Sequence, residues 1–235
     1  MTVPAVLRRI TALEPDPTRP GAVRVRVDGR LLCTVDAAEA AGRGIAVGAD
    51  WDPERAIEAE AAAEHEATWR ALLKALERRS FSTAEIRKRL KQKGHTPEAI
   101  DHAVGRALTE RLLDDRAFAL RYVESRANRG RGPGRLRQDL RALGVDAALI
   151  EAAITAHWPK PEDALALCRQ LAEKRSRQLG ALAPDVKRRR LLAYLGRRGF
   201  TGSKASAVIR EVLVGSGETG ERETGNGKGR ERGEP

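Results

Sequence analysis

The sequence is poor in aromatic residues and in cysteine, and both shortages limit what it can build. Aromatic residues make up only 3% of the 235 residues while hydrophobic residues make up 41%, so packed cores must consist mainly of Leu, Ala, Val and Ile. This composition, rich also in Arg, Glu and Lys, is typical of helices. The two cysteines, Cys33 and Cys168, match no metal-ligand spacing. We expect both to be small buried apolar residues in a reducing compartment.

Long apolar runs are missing as well. The N-terminal stretch MTVPAVLRRITALEP has no charged start followed by an apolar segment, and nowhere do about 18 apolar residues stand together. We therefore expect no signal peptide, no contact with a membrane and a cytoplasmic location.

Positive charge is abundant, but it is concentrated in one part of the chain. The net charge is −4 over residues 1–66, +16 over residues 67–213 and −1 over residues 214–235. A field of this sign favours polyanions, either nucleic acid or an acidic protein groove. The central part is therefore where we expect partners to bind.

The first residues predict a small β-structure. The stretch AVRVRVDGRLLCTVD alternates valines with arginines and turns at Asp28-Gly29, a strong signal for a hairpin. Residues 6–13 are a candidate third strand. A sheet of this size is not stable alone, so residues 1–50 should pack on the linking helix predicted over residues 51–65.

Most of the remaining chain carries a threefold internal repeat. Five template positions recur at an offset of 50 and then at an offset of 55. The copies are Ile86, Leu90, Gly94, Ile100 and Val104; Leu136, Leu140, Gly144, Ile150 and Ile154; and Leu191, Leu195, Gly199, Ala205 and Ile209. Each copy predicts a helix, a stop at glycine and another helix.

Each copy also has a helix in front, which predicts three tandem three-helix units. The units span residues 66–113, 114–158 and 159–213, and residues 214–235 are predicted to be a disordered, low-complexity tail. The front helices are predicted over 66–79, 115–128 and 161–178. The fold class is therefore mainly α: an elongated array of helix-turn-helix-like repeats after a small N-terminal sheet and helix.

Local signals mark where the helices begin and end. Gly94, Gly144 and Gly199 should terminate the second helix of each unit. Helix starts are predicted at a capping box formed by Ser82 and Glu85, at Thr96-Pro97, at Gly132-Pro133, and at the N-cap residues Asp146, Asp185 and Ser203.

The front helix of the middle unit opens with Asp114 and Asp115, which suit the positive N-terminal end of a helix. Phe118 and Tyr122 follow on one face of it. An apolar pair at this spacing is typical of core packing, whereas stacking on nucleic-acid bases would require both rings to be exposed.

The distribution of charge argues against sequence-specific DNA reading. The second helices, predicted over 82–93, 133–143 and 185–198, carry net charges of +4, +2 and +5. The third helices, over 97–111, 147–157 and 203–213, carry −1, −1 and +1, although a helix-turn-helix protein would insert them into the major groove. The second helices are instead typical of surfaces that contact phosphates or an acidic partner.

The chain resembles the RecX family of bacterial recombination regulators. The segments SFSTAEIRKRLKQKGHTPEAIDHAV and LLDDRAFALRYVESRANRGRGPGRLRQDLRALGV carry the resemblance. Its motif positions are Ser82, Glu85, Ile86, Leu90, Gly94, Asp114, Asp115, Phe118, Ala119, Tyr122, Arg126, Gly132, Arg135, Leu136, Leu140 and Gly144. The third unit matches through its second and third helices, and its loop QLGALAPD is longer.

The resemblance implies a monomeric regulator that lodges in the helical groove of the RecA filament on single-stranded DNA. There it would inhibit ATP hydrolysis, strand exchange and stimulated cleavage of the LexA repressor, so regulating DNA repair and the SOS response. Contacts with single- or double-stranded DNA would be independent of sequence. We expect the contacts with filament or phosphate to come from Arg87, Lys88, Arg89, Lys91, Arg126, Arg129, Arg131, Arg135, Arg137, Arg141, Lys187, Arg188, Arg189 and Arg190.

Enzyme interpretations find little support in the residues. The stretch RGRGPGRL lacks the P-loop pattern and follows no strand, so it predicts a flexible basic turn between helices. The four histidines show no metal-ligand spacing, and Glu58, Glu60, Glu64 and Glu66 are interpreted as a solvated acidic face. We expect no catalytic residues, metal or cofactor. The alternative function is an independent helix-turn-helix protein that binds DNA or RNA.

Overall fold

The computed structural model describes residues 8–221, and for residues 216–221 it describes the backbone alone. The chain forms two compact units, of which the first ends at Asp114 and the second begins at Asp115. The fold is mainly helical with a small N-terminal sheet, which confirms the predicted fold class.

The sheet of the first unit has four antiparallel strands in the order β3-β2-β1-β4. They are β1 (Arg8–Pro15), β2 (Ala22–Val27), β3 (Arg30–Asp36) and β4 (Asp50–Trp51). Asp28 and Gly29 join β2 to β3 with φ angles of 49° and 77°, the positive values that a tight hairpin turn requires. The hairpin is as predicted, and the third strand, predicted over residues 6–13, is β1 and extends to Pro15. The short β4 gave no pattern in the sequence.

Four helices complete the first unit: α1 (Ala37–Gly42), α2 (Pro53–Leu76), α3 (Thr83–Gln92) and α4 (Pro97–Thr109). The predicted linking helix and the front helix of the first repeat are one continuous helix, α2. Neither glycine nor proline interrupts it after Pro53, so nothing in the chain divides the two segments. Helix α1 was not predicted; the Asp36 side chain caps it by accepting from the backbone N–H groups of Ala38 and Glu39.

The second unit consists of the middle and third repeats. Its helices are α5 (Asp115–Ala127), α6 (Pro133–Ala142), α7 (Ala147–His157), α8 (Pro161–Gln178), α9 (Pro184–Arg197) and α10 (Gly202–Glu221). Helix α10 continues beyond residue 213, where the disordered tail was predicted to begin. Residues 222–235 of that tail lie outside the described residues.

The repeat template corresponds to the cores of the three repeats. All twelve apolar template positions are buried, with exposed fractions of 6% or less. Each repeat has its own cluster of buried side chains, and a fourth cluster joins the sheet to α1 and α2. The three template glycines have φ angles of 89°, 74° and 86°, the left-handed conformation that ends a helix.

The predicted helix starts are mostly, but not all, confirmed. Ser82, Thr96 and Asp146 accept hydrogen bonds from the backbone N–H groups of the first turns that follow them. Asp185 was wrong as an N-cap, because it lies in the first turn of α9. That helix begins at Pro184, and proline suits the first helical position. Ser203 likewise lies inside α10, which begins at Gly202.

The glycine-rich segment at the start of α6 is a packed junction between the middle and third repeats rather than a flexible turn. The backbone N–H of Gly132 donates to the carbonyl oxygen of Arg198 at 2.6 Å, and that of Gly134 donates to Gly199 at 3.2 Å. A Cβ atom on Gly132 would lie 2.7 Å from the ring of Phe200. Glycine is therefore required here for close approach of the two repeats.

Cys168 should be chemically inert in the folded protein. Its side chain is fully buried in the core of the third repeat, and burial raises the pKa of its thiol to about 11. Since the thiolate is the reactive form, a Cys33→Ser variant is expected to react with a disulfide reagent at pH 8 only after denaturant is added. Rapid labelling of Cys168 without denaturant would contradict this burial. Cys33 was also predicted to be buried but is half-exposed, so the Cys168→Ser variant provides the comparison.

Candidate functional site

The basic residues predicted on α3 fall into two groups. Lys88 and Lys91 are exposed and make no ion pair within the described residues. Arg87, in contrast, forms an ion pair with Asp101 of α4. Arg89 is half-buried, with its guanidinium 5.7 Å from the ring centre of Phe81. Only the two lysines of this helix therefore present unpartnered charge to solvent.

Several arginines of the middle repeat are held by acidic residues of the same repeat. Arg137 binds Glu151 through two hydrogen bonds of 2.8 Å, which lower the pKa of the Glu151 carboxyl. Arg131 pairs with Asp139, and the Arg135 Nε atom lies 2.9 Å from the same carboxylate. Pairing of this kind orders the arginines and neutralises part of the charge of α6.

The remaining candidates of the middle repeat form no ion pair among the described residues, although the charge of Arg141 helps to lower the pKa of the Glu151 carboxyl. Arg126 is half-buried and lies over the ring of Tyr122, 5.4 Å from its centre. Arg129 and Arg141 are exposed. The charges of Arg129 and Arg141 are therefore accessible to a partner.

Helix α9 presents the densest accessible charge. Arg188, Arg189 and Arg190 are consecutive, exposed and without an ion pair within the described residues. Lys187 is half-buried and, with Arg169 and Arg177, lines a surface cavity of about 780 Å³. Leu191 and Leu195 anchor α9 in the core of the third repeat, while the three arginines before them remain exposed.

We call the exposed candidates without an acidic partner the unpaired basic set. Its members are Lys88, Lys91, Arg129, Arg141, Arg188, Arg189 and Arg190. The structure thus divides the predicted contact residues into this set and a group held by intramolecular contacts. The sequence could not make that division, because the acidic partners are as many as fourteen residues away.

The motif residues of the middle repeat have structural positions. Phe118 is buried and Tyr122 packs beside it, with ring centres 6.0 Å apart, in the core of that repeat. Core packing of this aromatic pair is confirmed. Asp115 lies in the first turn of α5, where a negative charge is favourable. In the first repeat, Glu85 pairs with Arg79.

Of the four glutamates predicted to form a solvated face on α2, only Glu60 is exposed. Glu66 is only 6% exposed, and burial raises the pKa of its carboxyl against the opposing effect of nearby arginines. Glu58 pairs with Arg43, and Glu64 lies 3.0 Å from the Nδ1 atom of His95. Their partners come from other elements of the first unit, which a pattern along one helix does not reveal.

Two arrangements were missed by sequence reasoning altogether. The guanidinium of Arg198 donates to the carbonyl oxygens of Arg129 and Gly130, both at 3.3 Å, and so fastens the third repeat to the middle one. In the first unit Glu39, His65 and His102 converge and could hold a metal ion. Neither arrangement has a sequence signal, because each joins residues that are distant along the chain.

Among residues 8–221, no helix combines the length and the apolar character needed to cross a membrane.

Comparison with known proteins identifies all three repeats. Family models described as the first, second and third three-helix domains of RecX match residues 69–106, 114–154 and 162–209. These three ranges together cover just over half of the 235 residues. The match includes the third repeat, in which the sequence motifs were least complete.

Full-length relatives agree with the domain matches. The chain is 38% identical to the regulatory protein RecX of Halorhodospira halophila, over 63% of this chain and 90% of that protein. It is 34% identical to the protein of the same name from Streptomyces coelicolor, over 57% of this chain and 71% of the relative. A crystal structure of regulatory protein RecX, 24% identical, covers 87% of this chain and all of its own with a TM-score of 0.74.

Proposed function

Since the chain belongs to the RecX family of regulatory proteins, we propose that it binds the RecA filament on single-stranded DNA and inhibits it. The inhibited activities are ATP hydrolysis, strand exchange and stimulated cleavage of the LexA repressor. The protein acts as a cytoplasmic, non-enzymatic monomer. The observation that carries the proposal is the match of all three repeats, in order, to the three domains of this family.

The charge distribution supports a filament on nucleic acid as the partner. The unpaired basic set lies on the second helices and beside the glycine-rich segment at the start of α6, and it includes residues from all three repeats. Accessible Lys and Arg side chains bind phosphate oxygens and displace counterions without reading bases. We propose that these residues contact DNA phosphates or acidic side chains of the filament, while the paired arginines mainly maintain the repeats.

The decisive measurement is the DNA-dependent ATPase activity of RecA. Purified protein is expected to reduce this activity at amounts well below that of RecA, because one bound molecule affects neighbouring subunits of a filament. An ATPase rate unchanged at amounts equal to RecA would refute the proposal. The control is a matched amount of protein denatured by heat.

The alternative, an independent helix-turn-helix protein, makes a different prediction. It requires tight binding to a particular duplex that survives competitor DNA, whereas the proposal expects weak binding that is steep in salt and indifferent to sequence. A competition gel shift on random duplexes separates the two. The near-neutral third helices favour weak binding that is indifferent to sequence, as the proposal expects.

A further inference from the structure

Three metal-binding side chains from three different helices meet in the first unit. Glu39 belongs to the short helix α1, His65 to the middle of α2 and His102 to α4. One ligand atom from each lies within 4.8 Å of the others. Within the described residues this is the one group of three His, Cys, Asp or Glu side chains with such spacing.

The contacts within this group are close. The His65 Nδ1 atom is 2.5 Å from a Glu39 carboxylate oxygen, and the imidazole rings of His65 and His102 are stacked with centres 4.4 Å apart. Two ligands of a tetrahedral zinc ion are separated by about 3.4 Å, given Zn–N distances of about 2.1 Å. An ion between them therefore requires the Glu39–His65 contact to open by about 0.9 Å. It also requires the third ligand atom, which lies within 4.8 Å of the other two, to close in by at most about 1.4 Å, a shift that the exposed side chain of His102 can make.

The residues around the three side chains hold them in place and leave room for an ion. Arg43 donates to the same Glu39 oxygen from its Nε and Nη2 atoms, at 3.1 and 2.8 Å, which fixes the orientation of the carboxylate as the outer contacts of metal sites do. The side chains of Glu39 and His65 are 13% and 14% exposed. All three ligands line a cavity of about 370 Å³, in which a water molecule can complete the coordination.

We propose that Glu39, His65 and His102 form a binding site for a divalent transition metal ion of the zinc type. Two imidazoles and one carboxylate suit Zn²⁺, Ni²⁺ or Co²⁺, whereas Mg²⁺ and Ca²⁺ prefer oxygen ligands. The ion fastens α1, which directly follows β3, to the α2 and α4 helices of the first repeat. Its role is structural, and it is independent of the proposed action on RecA.

The test uses the full chain without an affinity tag, freed of metal by a chelator that is then removed. Calorimetric titration with ZnCl₂ is expected to show one ion bound per chain, and Zn²⁺ should raise the Tm whereas Mg²⁺ should not. The exposed position of His102 makes His102→Gln a variant that keeps its fold. This change should weaken zinc binding at least roughly tenfold and abolish the rise in Tm, because even loss of an outer contact costs about 10–100-fold.

His95→Gln is the matched control. His95 also contacts a glutamate, Glu64, at 3.0 Å, but has Thr68 at 2.9 Å in place of a third metal ligand. The zinc affinity of the His95→Gln variant should equal that of the wild type within about twofold. Glu39→Gln, in contrast, should weaken zinc binding as much as His102→Gln does. The proposal is overturned if the wild type shows no saturable binding of Zn²⁺, or if His102→Gln binds it as tightly as His95→Gln does.

Discussion

Replacing Arg188, Arg189 and Arg190 together with glutamine is expected to weaken the binding of this protein to single-stranded DNA roughly 10- to 100-fold at about 0.1 M salt. The slope of log affinity against log salt should become shallower by about 2, because each phosphate contact with a single strand contributes about 0.7. These three side chains are exposed and, within the described residues, have no acidic partner. Their full charge is therefore available to phosphates.

The fold should tolerate this change. Exposed substitutions away from caps and cores alter the free energy of unfolding by about 0.5 kcal/mol or less, and the core side of α9 is provided by Leu191 and Leu195. Any loss of binding can then be attributed to the surface itself. Circular dichroism of the variant should match that of the wild type.

The double variant Arg137→Gln, Glu151→Gln is the control for DNA binding. It removes a basic residue that is already paired with an acid, so net charge and salt slope should stay as they are. Fluorescence anisotropy of a labelled oligonucleotide across a salt series measures all three proteins. A triple variant with the wild-type slope would show that these three arginines make no phosphate contact, and the other members of the unpaired basic set would become the candidates.

The second large effect is expected at a glycine. Gly199→Ala should destabilise the protein by about 2–5 kcal/mol, since a left-handed conformation and overpacking each carry a penalty. Its φ angle is 86°, and a Cβ atom there would overlap the backbone nitrogen of Arg135 and lie 2.8 Å from its Cα atom. Backbone atoms cannot move aside as the end of a flexible side chain can. The third repeat would therefore have to shift away from α6.

Gly94→Ala separates the two contributions. Gly94 occupies the same template position in the first repeat and has a φ of 89°, but no atom would lie within 4 Å of an added Cβ. Gly94→Ala should therefore lower the free energy of unfolding only by the conformational penalty of about 1–2 kcal/mol. Denaturant unfolding of both variants measures the difference. Equal losses would mean that the junction between the middle and third repeats does not depend on the close approach at Gly199.

The repeat is the feature that the sequence defined best, for a physical reason. Apolar residues at helical spacing followed by glycine specify a buried face and a helix end through interactions that are local in the chain. The apolar template positions are accordingly buried in all three repeats. The sequence did not predict the six-residue helix α1, the two-residue strand β4 or the extension of α10 beyond residue 213. Short elements carry too few residues for a periodic pattern, and a glycine-rich segment gives no helical signal.

For the candidate site, the sequence predicted which basic residues to consider but not which of them are accessible. Fourteen basic residues were named from charge and motif, and the tertiary structure pairs Arg87, Arg131, Arg135 and Arg137 with acids. For Arg87 and Arg137 the acid is fourteen residues along the chain and belongs to the next helix. Pairing across helices depends on how the helices pack, which a one-dimensional charge pattern does not contain.

The sequence by itself determined the threefold helical repeat, the glycine ends of its second helices and the concentration of positive charge on those helices, because these follow from local spacing and composition. Only the tertiary structure decided which charges stay accessible, why glycines are needed at the junction between the middle and third repeats, and that Glu39, His65 and His102 meet. Each of these depends on contacts between segments far apart in the chain. Such contacts are fixed by packing, and packing becomes visible only when the helices are placed together.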